Sequence, residues 1–227
     1  SQATGSRVLG GLEGTLANLP GGSGVMAARA QAQRQAFDNA AMATLGESGN
    51  IGNDAAILAK QNIGGRMQQA ASGVTIPVDD AFVSDLAKVE SQYNRFLPAS
   101  QKPIVSAYID DLLKQPSIPG DVYQAARSRL GAAAQSADPE TKAALKGIQG
   151  ALDNAFNRSA GPDAAAAMQT ARGQYRNFKT LEPLITKASM SSNNIPPAQV
   201  LDRALATGNT QGQMGGLAPL GQQMGQE

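Results

Sequence analysis

The residues of this chain that could carry out chemistry are carboxylates, hydroxyls and amines. The sequence contains no histidine and no cysteine, so it lacks the commonest general base and the commonest ligands of transition metals. Disulfide bonds, thiolate chemistry and cysteine-type zinc sites are excluded for the same reason. Catalysis would therefore depend on serine with a lysine base, on paired carboxylates, or on a lysine in apolar surroundings.

No serine stands in a sequence pattern of known catalytic use. The chain has neither a G-x-S-x-G turn nor an S-x-x-K motif, and these are the patterns that place a serine beside its activating groups. Lys102 follows Ser100 by two residues, a spacing with no mechanistic meaning. We therefore expect that the chain is not an enzyme.

Two acidic pairs offer oxygen ligands for Mg²⁺ or Ca²⁺. They are Asp79-Asp80 and Asp110-Asp111, and neither stands in a calcium-loop pattern of alternating acids around a central glycine. Acids at the first turn of a helix favour its N-terminal dipole, which explains the first pair, and the second pair fits the solvated edge of an amphipathic helix. We expect no metal ion and no cofactor.

Two further patterns suggest ligands but have simpler explanations. The glycine-rich stretch from Leu19 to Gly24 precedes a predicted helix but lacks the Lys-Ser/Thr ending and the upstream strand of a phosphate loop. A basic and aromatic group near position 175 could contact nucleic acid through phosphates and base stacking. Its members are Arg172, Tyr175, Arg176 and Lys179, with Phe178 three residues after the tyrosine. The aromatic spacing is explained equally well by packing against a neighbouring helix.

The elements that must position these side chains are helices. Apolar residues recur at helical spacing through most of the chain, and Gly/Pro pairs separate the segments. The pattern predicts an all-α fold, an irregular bundle of about seven to nine helices with Gly/Pro-rich connections and a Gly/Gln-rich C-terminal tail. We expect three consecutive regions: an N-terminal helical region over 1–116, C-terminal helical hairpins over 117–189, and a short helix with the tail over 190–227.

Several helix boundaries follow from capping residues. Asp138-Pro139-Glu140 and Gly161-Pro162-Asp163 have the form of helix starts, and Pro183 is expected to kink or end the last long helix. A first short helix is predicted from Ser6 to Leu19, and a bend or a close helix contact is predicted at Gly64-Gly65.

Two proline-containing segments interrupt the helical pattern. Residues 73–78 alternate apolar and polar residues up to Pro77, which predicts a short extended segment. We expect this segment to be a connector that is not part of a sheet. Residues 117–121 form a predicted turn.

Two strongly amphipathic stripes are candidate faces for contact with partner proteins, or alternatively parts of the internal core. The stripes run over predicted helices that end at Pro98 and before Pro116. Their candidate interaction residues are Phe82, Leu86, Val89, Tyr93, Phe96, Ile104, Tyr108 and Leu112.

Composition narrows the function classes further. The net charge is +1, with 19 basic and 18 acidic residues, so no overall field draws the chain to nucleic acid or to an anionic membrane. No segment approaches the roughly 20 apolar residues that cross a bilayer. Aromatic residues make up only 4% of the chain, so the apolar surface buried per residue is expected to be low, as in a modestly stable fold or in a fold completed by partner chains.

Five sequence pieces resemble a known family. They are LPGGSGVMAARAQAQRQAFDNA, ILAKQNIGGRMQ, DDAFVSDLAKVESQYNRFLP, VYQAARSRLGAAAQSADPETKAALKGIQGALDNAF and ARGQYRNFKTLEPLI. In their order along the chain they resemble minor virion proteins of tailed bacteriophages and prophages, some of which are described as DNA-ejection or DNA-transfer proteins. The resemblance covers most of the chain, and the Gly/Gln tail departs from it most.

The resemblance implies a structural protein located in the virion and associated with its tail or portal. It implies assembly as a homo-oligomer with other virion proteins (portal, tail or other ejection proteins), and a location in the host periplasm or envelope for those members that are ejected with the genome. The residues alone leave two other classes open, namely a bacterial helical adaptor or effector-like interaction domain, and a helical accessory domain of a cell-wall lytic enzyme.

Overall fold

The computed structural model describes residues 22–49, 52–93, 95–191 and 197–209 together with Leu217. Eight helices and two short strands occur in these residues: α1 Gly22–Ala43, α2 Asn53–Ala71, β1 Thr75–Pro77, α3 Asp80–Tyr93, α4 Lys102–Leu113, β2 Ser117–Pro119, α5 Gly120–Ser136, α6 Pro139–Ser159, α7 Pro162–Ser191 and α8 Pro197–Thr207. The predicted all-α irregular bundle is confirmed. The helix predicted from Ser6 to Leu19 and most of the Gly/Gln tail lie outside the described residues.

Side-chain caps set the start of two helices where the sequence indicates them. The backbone N–H of Phe82 donates to Asp79 Oδ1 at 2.8 Å, so Asp79 caps α3. The backbone N–H of Thr141 donates to Asp138 Oδ1 at 2.9 Å, and Pro139 is the first residue of α6. In both helices an aspartate accepts a hydrogen bond from a backbone N–H of the first turn that would otherwise lack a partner.

The prediction that residues 73–78 form a connector outside any sheet is wrong. β1 pairs with β2 as a two-stranded antiparallel sheet in which Ile76 lies opposite Ile118, and both isoleucines are almost fully buried. Each isoleucine precedes a proline, which disfavours the helical conformation and leaves the residue extended. Residues 117–119 are thus a strand that runs directly into α5, instead of the turn expected from the sequence.

For each of two other local expectations the structure excludes one of the two alternatives. α7 does not end at Pro183 but continues to Ser191. A side chain added at Gly64 or Gly65 would meet no described atom within 4 Å, so the close helix contact expected there is absent from the described residues. The close contacts occur instead at Gly120 and Gly147, where an added Cβ would stand against the Ala71 carbonyl and the Val89 side chain, respectively.

The chain divides into two compact units. The first unit combines residues 1–61 with residues 174–227, and the second comprises residues 62–173. This division differs from the three consecutive regions expected from the sequence. The difference has a physical cause, since the β1–β2 pairing joins residues 75–77 to residues 117–119 across the expected boundary at position 116.

The core of the second unit forms around α6. This helix packs against α3, α4, α5 and β1, and its apolar stripe is almost fully buried. The stripe consists of Ala144, Leu145, Ile148, Ala151, Leu152, Ala155 and Phe156. None of the helices in the described ranges combines the length and the apolar character that crossing a bilayer requires.

Candidate functional site

A polar cluster of the second unit is centred on Asp153 of α6. Its carboxylate accepts hydrogen bonds from Tyr123 Oη at 2.8 Å, from Arg127 Nε at 2.9 Å and from Arg172 at 2.7 Å. Arg127 Nε also lies 3.2 Å from the second carboxylate oxygen. One carboxylate therefore binds two guanidinium groups and a phenol that are contributed by α5 and α7.

Helical spacing places these groups on facing surfaces. Tyr123 and Arg127 are four residues apart on α5, which puts them on one face of the helix. Phe156 follows Asp153 by three residues on α6, and its ring stacks on that of Tyr123 with centroids 4.6 Å apart and an angle of 14° between the planes. The Arg172 guanidinium lies about 6 Å from both ring centroids, so it contacts aromatic faces as well as the carboxylate.

The electrostatics of the cluster are those of a partly buried ion pair with one extra positive charge. Burial raises the pKa of the Asp153 carboxyl, and the charge and hydrogen bond of Arg127 oppose this effect. Burial also lowers the pKa of Arg172, although arginine stays charged at any physiological pH. The side chains of Asp153 and Arg172 are 19% and 17% exposed, so both are largely removed from water.

Neighbouring amides extend the cluster to adjacent backbone groups. Gln149 Nε2 donates to the Arg127 carbonyl at 3.1 Å, and its oxygen accepts from Lys146 at 3.2 Å. Gln124 Nε2 donates to the Met67 carbonyl of α2 at 3.0 Å. These bonds link α2, α5 and α6 and satisfy polar groups that would be costly to bury alone. The cluster is chemically suited to holding helices in register.

The sequence indicated parts of this cluster but not its centre. The sequence predicts Arg172 as a possible nucleic-acid contact and does not single out Asp153. A signal was present, because Asp153 lies between Gln149 and Phe156 beside the apolar stripe of α6. A charged residue at such a position is rarely buried unless it is paired.

The other nucleic-acid candidates lie in the first unit. Tyr175 is 41% exposed and stacks on the buried ring of Phe178 with centroids 6.4 Å apart. Arg176 and Lys179 are exposed, and Lys179 forms an ion pair with Glu182. The hydrogen bond from Glu182 raises the pKa of Lys179.

The eight candidate interaction residues divide into a buried group and an exposed pair. Phe82 and Leu86 are almost fully buried, Leu112 is 8% exposed, and Val89, Tyr93 and Tyr108 are partly buried against the core. Phe96 and Ile104 are 70% and 47% exposed. Of the eight, only this pair leaves about half or more of its surface exposed in the folded second unit.

The acidic pairs make contacts that fit helix edges and caps. Asp79 caps α3, and Asp111 forms ion pairs with Lys114 and Arg129, both at 3.4 Å. Within the part of the chain that the structure describes, no group of three or more acidic side chains is placed to hold a metal ion. Residues 19–21 of the glycine-rich stretch lie outside the described residues, and residues 22–24 form the start of α1.

No family model, curated protein or solved structure matches this chain.

Proposed function

We propose that this protein is a structural protein of a tailed-phage virion, associated with the tail or the portal, and that it acts through helix contacts with other virion proteins and with copies of itself. The family resemblance of its five sequence pieces leads to this class. In this proposal the protein travels with the genome and reaches the host periplasm or envelope on ejection.

One structural observation supports an interaction role over a catalytic one. The Asp153 carboxylate, the most buried acid with a displaced pKa, has its oxygens engaged by two arginines and a tyrosine. A general base needs a free lone pair within reach of a substrate proton, whereas this carboxylate is bound by its own fold. The described surface instead carries exposed large apolar side chains, including Val25, Leu58, Phe96 and Leu205.

The composition of the helices also suits delivery through a narrow channel. The chain has no disulfide to break, because it has no cysteine. Several buried positions are alanines, such as Ala41, Ala59, Ala134 and Ala144, and alanine contributes less burial free energy than leucine or phenylalanine. A fold of this kind opens at a modest free-energy cost, which passage with the genome requires.

The direct test is quantitative mass spectrometry of purified particles from the producing bacterium. We expect this chain in the particles at a fixed ratio to the portal protein and in more than one copy. A particle preparation carrying a deletion of the corresponding gene serves as the control, and we expect those particles to adsorb but to deliver DNA poorly. Absence of the chain from particles, together with its recovery from bacterial envelope complexes, would refute the virion role and favour the adaptor class.

A second measurement tests self-assembly independently of the particle. The purified chain is examined by native mass spectrometry with and without the portal protein. We expect homo-oligomers whose population rises when the portal protein is present. A chain that stays monomeric under both conditions would contradict assembly around the portal axis.

A further inference from the structure

The end of helix α8 is closed by a left-handed glycine that turns the chain inward. Gly208 has a φ of +65°, and its N–H donates to the Leu205 carbonyl at 3.1 Å. The N–H of Asn209 donates to the Ala204 carbonyl at 2.9 Å. This pair of bonds is the Schellman arrangement, which depends on a residue without a side-chain penalty at positive φ. It brings Asn209 into a site where only 6% of the residue is exposed.

The side-chain amide of Asn209 donates two hydrogen bonds at this site. Nδ2 lies 3.1 Å from Asn177 Oδ1 and 3.1 Å from Thr180 Oγ1 on α7. Asn177 in turn donates through its own Nδ2 to the Thr44 carbonyl at 2.9 Å, and Thr180 donates to the Arg176 carbonyl at 3.1 Å. Asn177 and Thr180 are themselves buried.

The carbonyls of Thr44 and Arg176 fix the direction of the hydrogen bonds that Asn177, Thr180 and Asn209 make with one another. The carbonyls of Thr44 and Arg176 only accept, so Asn177 and Thr180 must donate to them and must present acceptors to Asn209. Asn209 is therefore required as a double donor. An aspartate of the same shape has no proton to donate when ionised, and rotation of the Asn177 amide would place its oxygen against the Thr44 carbonyl.

One further polar contact joins α8 to α7 in the described residues, between Thr207 Oγ1 and Thr180 Oγ1 at 3.5 Å, and α8 buries few apolar side chains. It has 11 residues, and isolated helices shorter than about 12–15 residues are marginal in water. Among its described residues only Val200 and Ala204 are fully buried, while Leu205 is 60% exposed. A short helix with little buried apolar surface depends on specific contacts at its ends.

We propose that Asn209 is a latch that holds α8 on α7, and that α8 is a releasable element controlled by this one amide. The proposal concerns the first unit only and does not depend on the virion role. Loss of the latch frees α8 while the second unit keeps its fold.

Hydrogen–deuterium exchange read by mass spectrometry tests the latch. A buried polar group that loses its hydrogen bonds destabilises the folded state that contains it. We therefore expect Asn209→Asp to speed exchange in peptides covering residues 197–207 by about ten- to hundredfold. Asn154→Asp is the matched control, since it adds the same charge at an exposed position of α6. Peptides from α5 and α6 serve as the internal reference and should change by less than about twofold.

Two results with Asn209→Asp would overturn the proposal. One is exchange in residues 197–207 of Asn209→Asp that equals that of the Asn154→Asp control. The other is equal acceleration in all helices, which would make Asn209 a general stability residue. Thr180→Val is a milder variant of similar shape that removes the hydroxyl that accepts from Asn209 and donates to the Arg176 carbonyl. It should speed exchange of α8 by a smaller factor, and an unchanged rate would also overturn the latch.

Discussion

Gly147 of α6 lies so close to Val89 of α3 that a Cβ on the glycine would stand 2.9 Å from Val89 Cγ1 and 3.1 Å from Tyr93 Cε2. Real Cβ atoms are essentially never found within 3.0 Å of a non-bonded heavy atom of a residue that is not their neighbour in the chain. Valine has one strongly preferred rotamer in a helix, so it cannot easily turn away. The absence of a side chain at position 147 therefore sets the distance between two helices of the second unit.

Gly147→Ala is accordingly expected to destabilise the protein in spite of the higher helix propensity of alanine. Overpacking costs roughly 1–3 kcal/mol, against a propensity gain of about 1 kcal/mol. Urea unfolding followed by circular dichroism measures the difference. Gly150→Ala is the matched control on the same helix, because Gly150 is exposed with no described atom within 4 Å of an added Cβ. The control should be stabilised, and stabilisation of both variants would contradict the close contact.

Asp153→Asn is expected to destabilise the second unit. It removes the carboxylate that binds Arg127 and Arg172. Breaking a buried ion pair costs about 3–5 kcal/mol. We expect a loss near the low end of this range because the Asp153 side chain is still 19% exposed. Asp110→Asn, at an exposed position, should change the free energy of unfolding by less than about 0.5 kcal/mol.

A double variant distinguishes the loss of ion-pair attraction from the cost of burying unpaired arginine charges in this cluster. Adding Arg172→Met to Asp153→Asn removes one of the two unpaired guanidinium groups and should recover part of the lost stability. Equal destabilisation by the single and the double variant would mean that the arginines are not electrostatically dependent on Asp153.

Asp85 and Arg158 are expected to make stability depend on acid pH. The hydrogen bond from Arg158, at 2.9 Å, is the largest cause that lowers the pKa of Asp85 below 3.8, and burial opposes it. Because the folded-state pKa is depressed, this contribution to stability is fully present above the unfolded pKa, near 3.9. It is lost as the pH falls through the lower, folded-state value.

The measurement is the urea midpoint from pH 6 to pH 3, together with the NMR titration of Asp85. In Arg158→Gln the pKa of Asp85 should rise and the acid loss of stability should become smaller. Lys88→Gln removes a contact at 3.3 Å that ranks below Arg158 as a cause of the shift, so its effect should be smaller. A titration of Asp85 that is identical in wild type and Arg158→Gln would rule out the pair in solution.

Alanine variants of Phe96 and Phe82 distinguish a role in partner contact from a role in the core. Phe96 is 70% exposed and Phe82 is almost fully buried. Phe96→Ala should leave the free energy of unfolding within about 0.5 kcal/mol of wild type. Under the proposed virion role it should also reduce incorporation into particles. Phe82→Ala should cost about 3–5 kcal/mol. Normal incorporation of Phe96→Ala, measured against the portal protein in purified particles, would show that Phe96 does not belong to the proposed contact surface.

The helical pattern and several helix starts could be predicted from local chemistry alone. Asp138-Pro139 predicted the start of α6 because a cap and a proline act within one turn. The pairing of Ile76 with Ile118 could not be predicted, since the two strands are separated by about forty positions and each consists of only three residues. Neither strand has the length that makes an alternating pattern recognisable.

The candidate site was only partly predictable, for a related reason. The types and spacing of Arg172, Tyr175 and Arg176 show that they can bind anions or stack, but not which of them is available. The structure assigns Arg172 to Asp153, on another helix, and leaves Arg176 exposed. Availability is a property of neighbours that are distant in sequence.

The amino-acid sequence by itself determined the helical class, the capped starts of α3 and α6, and the lack of imidazole and thiol chemistry, because these depend on residue type and on neighbours within a turn. Only the tertiary structure decided that Asp153 binds two arginines, that Gly147 lets α3 approach α6, and that Asn209 reaches Asn177 and Thr180. Each of these relationships joins side chains from different helices. Their energies arise from distances and burial that exist only when the chain is folded.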